Sequence, residues 1–292
     1  MPRLDKQLKA DLPHLSWRQI RDSIEKGQVT VDGRVQKDPG LDVSAGSAIE
    51  LNLNRPAQSR ARATFDILHE DQHVLVLNKP AGLLSIASSA DAAASEDTVL
   101  RRVRDYMQFK LGHRSYVGML HRLDRDTSGS LAVALSKEAH AAGRELFKQH
   151  RFERHYLAIV QGMPEKDTGT IEARISSGYR DGRRKLVGAN ARGLDATTHY
   201  KIRRRLKNAA LLEVRLDTGR QHQIRLHLEK LGHPLVGERV YQTRSPEPQA
   251  RKQPRNMLHA WTLAFPHPIT GKLIAVEAPL PADFQCVLRE LS

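Results

Sequence analysis

The sequence has few of the features that crosslink proteins or anchor them in membranes. Its single cysteine, Cys286, excludes a disulfide framework and a cysteine-rich zinc site, and it fits a reducing compartment. No apolar run reaches the ~18 residues that a membrane-spanning helix needs. The opening segment MPRLDKQLKADLP lacks the apolar stretch of a secretory signal. These absences predict a cytoplasmic protein with no membrane-spanning segment.

Aromatic residues make up only 5% of the chain, whereas 47 Lys and Arg outnumber 33 Asp and Glu. The difference, 47 − 33, gives a net charge of +14, which predicts a polyanionic partner: RNA, DNA or an acidic membrane. With so few rings available for base stacking, binding should rest mainly on Arg and Lys that meet phosphates. Hydrophobic residues, at 39%, are sufficient for a sizeable core.

A composition break divides the chain. Residues 54–63, NRPAQSRARA, contain one Pro, three Arg and no apolar residue larger than Ala, which is typical of a linker. It predicts a small unit over residues 1–53 and a body over residues 64–292.

The first unit has local signals for two helices followed by strands. Leu4 and Leu8 are spaced by one helical turn, and Ser16 caps a second helix that ends at Gly27. Val-Thr-Val before the turn Asp32-Gly33 predicts a strand. The stretch from RLDKQL to IEL at residues 3–51 resembles the alpha-L motif, a small RNA-binding module named after a small-subunit ribosomal protein. That resemblance implies that the second helix contacts RNA. The alternative is that the basic face of this helix is only solvated. Its basic residues are Arg18, Arg21 and Lys26.

The body mixes many short strand patterns with a few helical ones, and the two do not alternate regularly. This predicts an α+β fold, with a mixed and mainly antiparallel β-sheet flanked by a few helices and loops. A basic stretch at residues 176–193 predicts a long loop or hairpin that contacts phosphates, although such loops are often only solvated. Its basic residues include Arg183, Arg184 and Lys185.

The densest polar cluster, HRLDRDTSG at 121–129, lies between two apolar runs. An ordinary surface turn needs only one or two such residues. The cluster resembles the signature of the RluA-type pseudouridine synthases, and five further motifs of that family follow the expected order. They are VLNKPAG at 76–82, HYLAIVQG at 155–162, ATTHYKI at 196–202, LDTGRQHQIRLHLEKLGHPLVGE at 216–238 and MLHAWTLAFPHPITG at 257–271.

The resemblance implies an isomerase that converts uridine to pseudouridine in RNA, most often in large-subunit ribosomal RNA, with transfer RNA as an alternative. It implies that Asp124 is the nucleophile and that Arg225 pairs with it. It also implies that Tyr156 packs against the target uracil and that Arg122 fills the space left by the flipped base. Lys79 belongs to the motif that shapes the pocket and is grouped with the residues expected to contact substrate or RNA.

His121 fits the signature and is grouped with the substrate-binding residues, without a chemical step. Glu238 and Gln242 stand where the family often has Asp and Gly in its GD-x-x-YG segment.

The residue patterns alone leave alternatives for two of these side chains. Tyr156 could be an ordinary half-buried strand tyrosine, and Arg225 could pair with Glu229 one helical turn away. The sequence does not decide whether Asp124 attacks the sugar or the uracil ring.

Other kinds of chemistry have weaker signals. The spacing of His222, His227 and His233 does not put two of them on one helix face, so we expect no metal site. An isomerisation requires no cofactor, and we expect a monomer. Two rival hypotheses remain, a non-catalytic RNA-binding or ribosome-assembly protein and a nucleoside or glycoside hydrolase. The hydrolase would need a second carboxylate close to Asp124.

Overall fold

A computed structural model gives the architecture of the chain. It describes residues 2–36, 38–44, 46–53, 65–89, 92, 96–178, 183–188, 190–241 and 253–292. The chain divides into two compact units, residues 1–62 and 63–292. The predicted linker at 54–63 and the position of Gln242 lie outside the described residues. No described helix is both long and apolar enough to cross a membrane.

The first unit follows its local sequence signals. The hydroxyl of Ser16 accepts the backbone N–H of Gln19, and the Gln19 side chain bonds back to Ser16, which completes a capping box. Leu4, Leu8 and Ile24 meet in a buried core below a three-stranded sheet ordered β2-β1-β3. The elements are α1 (Leu4–Asp11), α2 (Trp17–Glu25), β1 (Val29–Val31), β2 (Arg34–Gln36) and β3 (Ile49–Leu51).

The second unit is built on one large sheet. In the described residues this sheet has 11 strands in the order β10-β9-β11-β12-β8-β13-β7-β5-β4, with β14 paired to β13 and β6 paired to β7. Its strands are β4 (Asp66–Glu70), β5 (Val74–Lys79), β6 (Gly118–Met119), β7 (Ser128–Ala134), β8 (Glu153–Gln161), β9 (Thr168–Ser176), β10 (Leu186–Val187), β11 (Gly193–Leu206), β12 (Ala209–Leu216), β13 (Leu258–Pro266) and β14 (Leu273–Glu277). Its helices are α3 (Val99–Leu111), α4 (Lys137–Lys148), α5 (Gln223–Lys230) and α6 (Ala282–Glu290). The predicted α+β class, with a mixed and mainly antiparallel sheet, is confirmed.

One parallel contact at the middle of the sheet positions the signature segment. Strand β13 runs parallel to β7, with Ala260 opposite Gly129, while the other pairings are antiparallel. Gly129 has a φ of 115°, and a Cβ there would collide with the backbone of Ala260. Only glycine fits this close approach, so the signature can pass directly from its loop into the buried strand β7.

Candidate active site

The loop that carries Asp124 is fixed from below by Lys79. Lys79 lies at the end of β5, is completely buried and donates three hydrogen bonds from Nζ. Its acceptors are the backbone oxygens of Pro80 (2.8 Å), Leu83 (2.7 Å) and Arg125 (2.8 Å). Burial lowers the pKa of Lys79 to about 7, against the attraction of the nearby carboxylates. The expectation that Lys79 contacts RNA is therefore corrected, because its ammonium group holds the loop from inside.

Two further side chains hold the same loop. The hydroxyl of Ser85 donates to the carbonyl of Leu123 (2.7 Å) and accepts its N–H (3.1 Å). Arg255 donates to the carbonyl of Asp126 (3.1 Å) and forms an ion pair of 2.6 Å with Asp283 on α6. The backbone on both sides of Asp124 is thus bonded to buried groups, which fixes where its carboxylate lies.

The loop opens onto a cavity of about 260 Å³, enough for one pyrimidine base. Asp124 is the only carboxylate among the described residues that line it, and its side chain is 22% exposed. Arg122 is exposed at the edge of this cavity. A pair of carboxylates of the kind that glycosidases use is not found in this lining. The lining residues are His121, Arg122, Leu123, Asp124, Thr127, Phe147, Arg154, Tyr156, Leu216, Gly219, Arg220, Gln221, His222, Gln223, Ile224, Arg225 and Leu258.

Tyr156 lies on β8, in the wall of the cavity. It is 6% exposed and joins the main hydrophobic core of the unit. Burial raises its pKa, with a smaller contribution in the same direction from Asp124 and an opposing one from Arg154. The phenol therefore stays protonated, and its ring offers a neutral aromatic face beside the carboxylate.

Arg225 does not form the expected ion pair with Asp124. Its Nε and Nη2 each lie 2.7 Å from an oxygen of Glu238, in a bidentate pair whose side chains are 10% and 0% exposed. Glu238 also accepts the N–H groups of Arg239, Val240 and Tyr241. Asp124 acts on Arg225 only through space. The alternative pairing with Glu229 does not form either.

The electrostatics of this buried pair favour both charges. Burial is the largest influence and opposes the charge on Arg225, but its hydrogen bonds to Glu238 together with the attraction of Glu238, Asp124 and Tyr241 raise its pKa. Burial likewise disfavours the charge on Glu238, yet Arg225 and the backbone N–H groups hold the pKa of that carboxyl below its usual value. Arg225 is thus a fixed cation in the cavity wall, close to Asp124 and balanced by Glu238.

His222 is the basic group whose ring approaches Asp124 most directly in the described structure. Its Nε2 lies 3.9 Å from Oδ1 of Asp124, and its Nδ1 lies 2.6 Å from the hydroxyl of Tyr241. Burial lowers its pKa, against the attraction of Asp124. Sequence reasoning weighed His222 only as a metal ligand. Its position immediately before α5, in the same motif as Arg225, was the signal that could have placed it here.

His121 is a buried ring rather than an accessible ligand. Its Nε2 accepts the N–H of Ala132 (3.1 Å), and the ring stacks on Phe147. Burial and the charge of Arg154 lower its pKa to about 3, so the ring is neutral at physiological pH. His121 therefore supports the cavity wall, and its place among the substrate-binding residues stays a prediction. Metal-binding groups of His, Cys, Asp and Glu were not found in the described part of the chain.

The predicted RNA-binding residues of the first unit are exposed on α2 and just after it. Arg21 lies 3.2 Å from Asp5 and 6.0 Å from the centre of the Trp17 ring. Lys26 lies 2.5 Å from Asp22, whereas Arg18 makes no ion pair within the described ranges. Arg18 is thus the most available of the three cations.

The basic residues of the hairpin differ from one another in the same way. Arg183 and Lys185 are exposed. Arg184 instead donates to the carbonyl of Ser176 (3.0 Å) and to Oε1 of Gln221, and its N–H donates to Tyr241. Arg184 therefore ties the β9–β10 hairpin to the cavity edge, and its contact with RNA stays a prediction.

Two protein families match parts of this chain. Residues 73–230 match the family described as RNA pseudouridylate synthase, and residues 2–49 match the S4 domain. A protein of Zymomonas mobilis named ribosomal large subunit pseudouridine synthase D is 34% identical, over 99% of this chain and 93% of its own length. A protein of the same name from Pseudomonas aeruginosa is 36% identical, over 98% and 91%.

A solved structure of a pseudouridine synthase domain also resembles this chain. The structure of human RNA pseudouridylate synthase domain containing 4 aligns with a TM-score of 0.64 at 26% identity, covering 77% of this chain and 92% of its own. The family match covers more than half of the chain, and the two relatives align over nearly all of it. The chain therefore belongs to the family of RNA pseudouridine synthases, isomerases that convert uridine in RNA to pseudouridine.

Proposed function

We propose that this enzyme modifies specific uridines of large-subunit ribosomal RNA, with Asp124 as its nucleophile. The RNA class is supported by the names of the Zymomonas and Pseudomonas relatives, which align over nearly their full lengths. A net charge of +14 and the exposed cations of α2 and the hairpin suit contacts with the backbone of a structured RNA.

The proposed division of labour follows the two units. Residues 1–53 bind RNA, residues 54–63 link the units, and residues 64–292 carry the chemistry. The S4 match over residues 2–49 supports the first assignment. We further propose that the enzyme acts as a monomer. Ribosomal RNA as substrate implies work in the cytoplasm.

Substrate entry requires the uridine to leave its helix. A stacked base is unreachable, and flipping it out costs a few kcal/mol. We assign Arg122, exposed at the cavity edge, to the space that the base vacates. Tyr156 receives the uracil on its ring, and stacking of this kind recovers ~1–3 kcal/mol.

One observation carries the assignment of the nucleophile: Asp124 is the only carboxylate in the described cavity lining, beside Tyr156, on a loop fixed by Lys79 and Ser85. In the reaction the bond from C1′ to N1 breaks and a bond from C1′ to C5 forms, while C5 loses a proton and N1 gains one. Product and substrate are isomers, so the balance needs no redox cofactor or group carrier. A carboxylate can serve as the covalent nucleophile, at C1′ or at the uracil ring.

The test is a pseudouridine map of cellular RNA. Cells lacking the gene are complemented with the wild type or with Asp124→Asn, and ribosomal and transfer RNA are mapped separately. We expect sites in large-subunit ribosomal RNA that the wild type restores and the variant does not, while the variant still binds RNA. Sites restored only in transfer RNA would overturn the substrate assignment. Sites restored equally by both proteins would overturn Asp124, and release of free uracil would favour a hydrolase.

A further inference from the structure

Arg154 is a buried cation that has no role in the proposed chemistry. It lies at the start of β8 and is 6% exposed. Its Nε is buried without a hydrogen-bond partner, and within the described ranges its guanidinium makes no ion pair. Its only specific contact there is with the Phe147 ring, whose centre lies 4.8 Å from Cζ. Burying a charge without a partner is costly, so its retention needs a reason.

The carboxylate that most influences Arg154 already has other partners. Asp217 acts on Arg154 only through space and lies 2.7 Å from His199 and 3.2 Å from Arg215. The nearby His121 is neutral. Burial lowers the pKa of Arg154, although the group keeps its charge because a guanidinium stays protonated in proteins. The positive charge of Arg154 is thus not balanced locally.

The position of Arg154 directs this charge into the cavity. Arg154 and Tyr156 are two residues apart on β8, so they share one face of the sheet, ~7 Å apart along the strand. Both line the cavity that contains Asp124. Opposite, Gly219 leaves the room that the guanidinium occupies, since a Cβ at this glycine would collide with Nη1 of Arg154.

We propose that Arg154 binds a phosphate that flanks the flipped uridine. In this arrangement the uracil lies against Tyr156, and Arg154 is two residues away along the strand. That separation is about the distance from a base to the phosphate of the same nucleotide, measured across the ribose. Phosphate is the anion that RNA always supplies, and the guanidinium fork suits it in a bidentate contact. This inference rests on the proposed function, since it takes Tyr156 as the place of the base.

A chemical double-mutant cycle tests the inference with the full chain. The probe is a short RNA that contains a uridine converted by the wild type, made with natural phosphates or with one neutral methylphosphonate on either side of that uridine. We compare kcat/KM of the wild type, Arg154→Met and a control, Arg151→Met. The control removes an exposed cation three residues away from Arg154. The same cycle is measured as Kd in an Asp124→Asn background.

We expect the methylphosphonate at one of the two positions to lower kcat/KM of the wild type about 10- to 100-fold, the size of a hydrogen bond to a charged group. The same methylphosphonate should lower kcat/KM of Arg154→Met almost no further. It should lower kcat/KM of Arg151→Met as much as that of the wild type. Arg154→Lys should recover part of the activity, because it keeps the charge and loses the fork. Without RNA, Arg154→Met should unfold at a temperature no lower than the wild type.

Equal methylphosphonate effects in wild type and Arg154→Met, at both positions, would overturn the inference and leave Arg154 a packing partner of Phe147. A marked loss of stability in Arg154→Met would point the same way. The two proposals fail separately. If Asp124→Asn still converts uridine, the assignment of Asp124 as nucleophile is wrong. The comparison of natural and methylphosphonate RNA in wild type and Arg154→Met would still decide the role of Arg154.

Discussion

Glu238 is the residue whose substitution should most directly expose the energetics of this site. Its carboxylate accepts two hydrogen bonds of 2.7 Å from Arg225 and three more from backbone N–H groups, and its side chain is 0% exposed. Glu238→Gln keeps the shape but removes the charge, which leaves Arg225 buried and uncompensated. Removing one partner of such a pair costs ~3–5 kcal/mol. We expect a loss of free energy of unfolding of that size.

The measurement is urea denaturation of the full chain, followed by fluorescence of the tryptophans. Glu229→Gln is the matched control, because this glutamate lies on the same helix as Arg225 and is only partly buried. It should change the stability by no more than the ~0.5 kcal/mol usual for surface substitutions. Glu238→Asp keeps the charge and should cost less than Glu238→Gln. Equal stabilities of Glu238→Gln and Glu229→Gln would refute the argument that the buried pair is needed.

Three further predictions concern the loop support, the acid response and RNA binding. Lys79→Met should lower the free energy of unfolding in urea by about 3 kcal/mol, because three backbone carbonyls each lose the hydrogen bond from Nζ. Since the folded-state pKa of His121 is lowered to about 3 from 6.5, the stability from its neutral form is complete above pH 6.5 and is lost as the pH falls towards 3. His121→Gln should therefore reduce the acid-side slope of stability by about 1.4 kcal/mol per pH unit. Arg18→Ala should weaken RNA binding and reduce the dependence of log Kd on log salt by about one phosphate contact.

Each of these predictions has its own contradicting result. Lys137→Met, at an exposed lysine, is the control for Lys79→Met, and equal stabilities would contradict the loop-support argument. Identical acid slopes with and without His121 would show that its ring is not held neutral. An unchanged salt dependence in Arg18→Ala would place the RNA away from α2.

The N-terminal unit could be predicted from sequence because its signals are local. The leucine spacing of α1, the cap at Ser16 and the glycine stop at Gly27 each act within one helical turn. In the body, α3 begins with a signal of the same local kind, the cap at Thr98, whose hydroxyl accepts the N–H of Arg101. Strand β9 has no such local signal, because its apolar positions are few and its partners β10 and β11 follow it in the chain.

Most residues of the candidate site could be named from the sequence, but their hydrogen bonds and ion pairs could not. The pairing of Arg225 with Glu238, thirteen residues away, depends on the chain turning back after α5, whereas helix spacing indicated Glu229. The burial of Lys79 depends on three carbonyls that only the folded loop brings together. Arg154 could have been noticed, because alternation along β8 puts it on the same face as Tyr156.

The central claim is that Asp124 carries out the isomerisation. The most direct measurement is single-turnover conversion of uridine to pseudouridine in a substrate RNA by the purified full chain, with RNA binding measured in parallel. Asp126→Asn is the matched control, since Asp126 lies on the same loop but does not line the described cavity. We predict that Asp124→Asn binds RNA and forms no pseudouridine, while Asp126→Asn keeps most of its activity. Conversion by Asp124→Asn at the rate of Asp126→Asn would contradict the account.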